Sequence, residues 1–211
     1  MSAHDKTRKF GLTCIVVAAG LAFPAGLGAV LAAEQPSADD IIKALKPPRI
    51  TRSLTTSPAD AARKAEEARF VNSLRNRPTR SLTTAERDQI VTIAEKRPKI
   101  DLEVNFEYNS DKIGPKATPQ VTALGQALSS AELKGGTFIV SGYTDAKGSE
   151  TYNQGLSERR ADAVKRFLSE KYGIDVSNLV TVGYGKTHLK NPSEPFSGDN
   201  RRVQVINASD N

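Results

Sequence analysis

The sequence predicts an α+β fold: a mixed sheet in the order β-α-β-α-β-β with helices packed on one face, preceded by a mostly helical or flexible extension. Three observations predict it. From Ile100 onward, Leu102, Val104 and Phe106 alternate with polar residues, the period of a half-buried strand. Two stretches, 115–131 and 151–172, carry apolar residues at helical spacing. Short apolar runs at 137–141, 179–182 and 202–206 supply three more strands, the first entered through Gly135-Gly136. A domain of about 110 residues buries an adequate core without staples.

The chain begins with three cations, Lys6, Arg8 and Lys9, followed by an apolar run over 10–33 that ends in small residues. This is the pattern of a secretory signal peptide, with cleavage after Ala32 or Ala33. The run also exceeds the roughly 20 residues that span a bilayer, so a retained helix is the alternative. Pro24 and the glycines at 20, 26 and 28 weaken such a helix. Cys14, the sole cysteine, has Gly11 three positions before it and its apolar region downstream, which does not fit a lipidation signal. The exported remainder then has no thiol, hence no disulfide and no cysteine-ligated metal.

Residues 34–98 read as a basic extension with 13 Lys/Arg against 9 Asp/Glu. Ser37 caps a helix over 38–45 that Pro47-Pro48 ends, and Pro58 opens another over about 59–74. Thr83 and Glu86 form a capping box for a third, which runs to about Lys96. The hexapeptide Thr-Arg-Ser-Leu-Thr-Thr occurs twice, at 51–56 and 79–84, each time leading into a helix. It reads as a duplicated cap-and-helix unit or as a twin docking motif. Thin apolar content predicts that this part is mobile or docked on an outer-membrane or other envelope protein.

Residues 99–211 carry 14 cations and 14 anions. That balance leaves no nucleic-acid footprint in the folded part. His188 lies in a proline-containing loop over 187–199, far from the other histidine, and reads as a solvated loop residue.

The chemistry concentrates at 142–160. With about 100° per residue and Asn153 as zero, Leu156 falls near −60°, Val164 near +20° and Phe167 near −40°. Arg160 falls near −20°, inside that apolar stripe, and Arg159 lies roughly 100° away on the flank. A guanidinium on an inward face needs an anionic partner or an opening into a cleft. Asp145 precedes the helix in a loop flanked by Gly142 and Gly148, while Thr144 and Asn153 add short hydrogen-bonding groups. Asp145 and Arg160 either neutralise each other or together grip a zwitterion.

Four blocks, Gly-Tyr-Thr-Asp-x-x-Gly at 142–148, Asn-x-x-Leu-Ser-x-Arg-Arg-Ala at 153–161, Val-Gly-Tyr-Gly at 182–185 and Asn-Arg-Arg-Val at 200–203, stand in one order. Together they resemble the OmpA-like C-terminal domain family over residues 100–207. That resemblance implies a non-enzymatic module that binds peptidoglycan through the diaminopimelate of its peptide stem, with no cofactor and no metal. It implies Asp145 on the ligand ammonium and Arg160 on its carboxylate. Thr144, Asn153 and Leu156 belong to the implied pocket, and residues 106–110 form its other wall, with Glu107 and Tyr108 against the ligand. The family often has a smaller or differently charged residue at those two positions. Of Arg201 and Arg202, which alternate faces, Arg202 is assigned to the ligand. The implied setting is the periplasm of a Gram-negative bacterium, at the outer membrane and cell wall.

Other functions fit less well. A wall hydrolase would use Asp145 with Glu150 or Glu107 as paired carboxylates, but an Asp beside an Arg stays ionised and is a poor general acid. A proton-coupled motor subunit needs an acidic residue in its membrane helix, and 10–33 has none. An inner-membrane-tethered, wall-binding subunit survives that objection if the helix is retained. Eight membrane strands of about ten residues do not fit into 34–98.

Overall fold

The computed structural model describes residues 35–47, 57–107 and 109–209. The readings of the export segment, the first Thr-Arg-Ser-Leu-Thr-Thr copy and Tyr108 lie outside the described residues. Residues Glu34–Asn211 form one compact unit. Among the described residues, no helix is long and apolar enough to cross a membrane.

Three helices precede the sheet: α1 (Ala38–Leu45), α2 (Pro58–Leu74) and α3 (Thr84–Lys96). Ser37 with Asp40 and Thr83 with Glu86 form reciprocal capping boxes at α1 and α3. Then follow β1 (Lys99–Leu102), α4 (Thr118–Leu128), β2 (Phe138–Gly142), α5 (Glu150–Tyr172), β3 (Leu179–Gly183) and β4 (Val203–Asn207). Ser149 caps α5 by accepting from the Tyr152 amide, and Gly173 ends it with a left-handed φ of 64°. The strand order is β1-β4-β2-β3. β2 and β3 run parallel and are joined by α5, while β4 lies antiparallel between β1 and β2. The predicted α+β order is the observed one.

Strand alternation divides the core in two. Phe138, Val140, Leu179, Val203 and Val205 meet α4 through Val121 and Leu124 and α5 through Val164 and Leu168. Ile41 and Leu45 of α1 are fully buried in that same cluster. The other face, with Ile139, Val180, Val182 and Ile206, is closed by Val71, Leu74, Leu82, Ile90 and Ile93. The helices α4 and α5 thus cover one face as read from the sequence. The extension, expected to be mobile or docked on a partner, is instead folded against both faces. Its apolar residues are few but cluster at the end of α2 and on one side of α3. Their counterpart was already visible in β2 and β3, whose near-continuous apolar runs suit a sheet covered on both faces.

The second Thr-Arg-Ser-Leu-Thr-Thr copy seats this layer. Thr79 is buried, its hydroxyl 2.5 Å from that of Thr181 in β3 and hydrogen-bonded to the Asp162 carboxylate of α5. Arg87 of α3 pairs with Glu158 of α5 at 3.0 Å. β1 is shorter than its alternating pattern suggested. After Leu102 the chain makes two tight turns, the Val104 amide donating to the Leu102 carbonyl and the Phe106 amide to that of Val104.

Ile90 is fully buried, so Ile90→Ala is expected to lower unfolding free energy by about 2–5 kcal/mol, measured by urea denaturation. An extension loosely attached to the domain would show almost no change. The hydrogen bond from Arg77 to Glu86, at 2.5 Å, with help from the Thr83 amide, lowers the Glu86 carboxyl from 4.5 to about 2. A depressed carboxyl pKa contributes stability above its unfolded value that is lost as pH falls through its folded value. Melting temperatures from pH 4.5 down to about 2 are therefore expected to fall less steeply in Glu86→Gln than in the wild type.

Candidate ligand-binding cleft

Two glycines let α5 approach the sheet closely. A Cβ on Gly142 would lie 2.3 Å from the Ser157 carbonyl oxygen, and one on Gly183 would lie 2.6 Å from the Glu158 amide nitrogen. Beyond the strand ends, the Tyr184 amide donates to the Gly142 carbonyl and the Thr144 amide to the Gly185 carbonyl. The Ser157 hydroxyl accepts from the Gly185 amide at 2.8 Å. The loops leaving β2 and β3 are thereby fastened to the first half of α5. Between them opens a cleft of about 770 Å³.

Asn153, Leu156 and Arg160 of α5 line the cleft, with Thr144, Asp145 and Gly148 from the loop after β2. Phe106 and Asn109 line it from the segment after β1, and Phe196 and Arg201 from the loop before β4. Asn109 adopts φ 55°, a conformation asparagine tolerates, and its side-chain oxygen accepts from the Tyr152 hydroxyl. Asn153 donates to the Lys147 carbonyl at 2.9 Å and holds the Asp145 loop over the helix start.

The helical phase read from the sequence is the observed one: Arg160 is only 6% exposed and Arg159 faces solvent. Arg160 Nε donates to the Ser110 carbonyl at 3.1 Å, and its guanidinium carbon lies 4.9 Å from the Phe106 ring centroid. Among the described residues, no carboxylate lies within 4.0 Å of this guanidinium, and its terminal nitrogens have no hydrogen-bond partner. Burial, reinforced by the charge of Arg201, lowers its pKa, opposed by Tyr152, Asp145 and Asp111. An arginine remains charged under such a shift, so the cleft presents a cation with unused donors.

Asp145 is engaged elsewhere. Its Oδ2 accepts from Arg201 Nη1 at 2.8 Å and its Oδ1 from the Lys147 amide at 3.0 Å. The Asp145–Arg160 ion pair weighed from the sequence is absent, and Arg201 takes that place. Two other assignments need correction. Glu107 is exposed, 3.8 Å from the Lys116 ammonium, and does not line the cleft. Arg202 also lies outside it. Its guanidinium carbon sits 3.8 Å from the Tyr143 ring centroid, its Nε lies 3.5 Å from Asp101, and its Nη2 donates to the His188 carbonyl.

The reason lies in the alternation of β4. Arg202 shares a side with Gln204 and Ile206, on the face closed by α2 and α3, whereas Arg201 shares a side with Val203 and Val205, on the α5 face. That period was legible in the sequence. Phe196, 68% exposed, and Tyr152 carried no sequence signal that set them apart. Their place depends on the 187–200 loop and the α5 cap. Fully buried Asn200 organises that loop, donating to the Asn191, Glu194 and Pro195 carbonyls. The Ala146 amide donates to the Pro195 carbonyl at 2.9 Å. His188 is exposed, edge-on to Tyr184.

Gly142→Ala would push the Ser157 carbonyl, and with it the cleft side of α5. The expected cost is about 1–3 kcal/mol in denaturant unfolding, with altered amide chemical shifts along 153–160. An unshifted spectrum with full stability would show that the close approach is not required.

Residues 105–202 match the model of the OmpA family. The chain is 34% identical over 109 residues to outer membrane porin F of Pseudomonas fluorescens, covering 51% of this chain and 32% of that protein. It is 38% identical over 86 residues to outer membrane protein A of Escherichia fergusonii, covering 41% of this chain and 35% of that protein. The chain thus spans about a third of the length of these curated relatives. It also resembles the OmpA-like domain of FopA1 from Francisella tularensis subsp. tularensis SCHU S4, at 23% identity and a TM-score of 0.44, covering 51% of this chain and 71% of that one. The matched span takes in the cleft from Phe106 to Arg201, and residues 105–202 are a domain of the OmpA family.

Proposed function

We propose that this cleft binds peptidoglycan without a covalent bond, through the diaminopimelate of the peptide stem, and so anchors the cell envelope to the wall. One observation carries the proposal: Arg160 is buried, has no carboxylate partner among the described residues, and opens into a cleft that also presents Asp145. A buried cation with unused donors favours an incoming carboxylate. An ionised aspartate on the same cleft favours an ammonium. Diaminopimelate offers both groups on one carbon. Membership of residues 105–202 in the OmpA family supports the same reading.

In this proposal, Arg160 takes the carboxylate, with Phe106 holding the guanidinium plane. Asp145 takes the ammonium, and Leu156, Thr144 and Asn153 line the remaining surface. Residues 1–33 direct export, residues 99–207 bind the wall, and the protein works in the periplasm beside the outer membrane. Helices α2 and α3 close the second sheet face, and an envelope partner would meet the exposed polar surface of α2.

Purified full-length chain is expected to co-sediment with diaminopimelate-containing sacculi and to be released by free diaminopimelate. A hydrogen bond to a charged group contributes about 1.5–3 kcal/mol. Arg160→Met and Asp145→Asn should therefore each weaken sedimentation by about 10- to 100-fold while leaving the melting temperature near wild type. Arg160→Lys, which keeps the charge and loses the planar fork, is expected to fall between. Sedimentation of both variants at the wild-type level would sink the assignment of the site.

A further inference from the structure

The position proposed for the ligand ammonium is contested within the protein. Asp145 Oδ2 accepts from Arg201 Nη1 at 2.8 Å, and Oδ1 is held by the Lys147 amide of its own turn at 3.0 Å. We infer that Arg201 is an internal competitor for Asp145: an ammonium reaching this carboxylate must take Oδ2 from the guanidinium, and Arg201 thereby sets how strongly the cleft favours a zwitterion over a plain carboxylate. This inference rests on the diaminopimelate reading above.

The backbone around Arg201 is fixed while its side chain is half exposed. Asn200 is fully buried, the Arg201 amide donates to the Gly198 carbonyl at 2.8 Å, and Arg202 is fastened over Tyr143 and beside Asp101. The Arg201 side chain itself is 49% exposed, against 15% for Asp145. The more exposed member of the pair is therefore the arginine, and leaving Asp145 costs it little desolvation. The carboxylate stays aimed into the cleft by its turn.

Charge balance favours the exchange for one ligand class. Arg160 and Arg201 face the same cleft with Asp145 as a shared neighbour, and the Arg201 charge disfavours the charged form of Arg160. A ligand carboxylate on Arg160 offsets that repulsion, and the ligand ammonium then takes over Asp145 while Arg201 turns to solvent at the rim. A dicarboxylate without an amine satisfies Arg160 and leaves the Arg201–Asp145 pair intact. Half-exposed ion pairs are weak, so the handicap imposed on a zwitterion is at most about fivefold in affinity.

The test titrates full-length wild type and Arg201→Gln with meso-diaminopimelate and with pimelate, which has both carboxylates and neither amine, at low ionic strength by calorimetry. Arg201→Gln is expected to bind diaminopimelate about two- to fivefold more tightly while pimelate, which loses a cation from the cleft and meets a bare Asp145, gains nothing. Equal or weaker binding of diaminopimelate by the variant, or a parallel gain for pimelate, overturns the inference. Arg160→Met separates the two levels of failure. If wild type binds diaminopimelate and Arg160→Met does not, a null result at Arg201 overturns the competitor role alone. If wild type does not bind diaminopimelate, the functional reading falls and this inference with it.

Discussion

The contact on which the cleft depends is the close approach of α5 to the parallel pair β2 and β3. It exists because positions 142 and 183 carry no Cβ, so the Ser157 and Glu158 backbone can sit against the strands. A helix lying so low presents one stripe wholly to the sheet. Any residue in that stripe is removed from water whatever its chemistry. Arg160 is in the stripe one turn past the contact, and its long apolar stem fits that burial while the charged head reaches the edge of the cleft. The buried cation is thus a consequence of the packing, and the loops after β2 and β3 are fixed over it through Ser157 and Asn153.

The rest of the molecule protects this arrangement. A four-stranded sheet with one bare apolar face would be a liability in water. The α2–α3 layer removes it by burying Ile139, Val180, Val182 and Ile206. That layer also touches α5, through Arg87 on Glu158 and Thr79 on Asp162. The helix is therefore braced from the sheet below and from the extension beside it. The cluster of Tyr143, Tyr184 and Arg202 lies on the braced face, which explains why the second arginine of the pair 201–202 serves packing and the first serves the cleft.

Much of the cleft could be read from period alone. Counting residues along α5 separated Arg160 from Arg159, and the same arithmetic along β4 would have separated Arg201 from Arg202. The two arginines enter β4 on opposite faces, and the cleft lies on the face that carries Arg201, while Arg202 packs over Tyr143. Glu107 lies off the cleft for a different reason. The alternating pattern predicts β1 through Phe106, whereas the chain leaves the sheet after Leu102 and turns, and Glu107 points to solvent near Lys116.

The sequence by itself determined the element order, the capping box at Thr83, the cap at Ser37, the glycine stop of α5 and the inward phase of Arg160. These are local properties, set by short-range hydrogen bonds and by the periods of helix and strand. Only the tertiary structure decided which anion meets which cation, that Asp145 is held by a residue 56 positions away, and that the extension folds back on the sheet. Those outcomes depend on where distant segments are brought together in space. An ion pair or a docked helix is chosen by proximity and burial, and neither leaves a period in the chain.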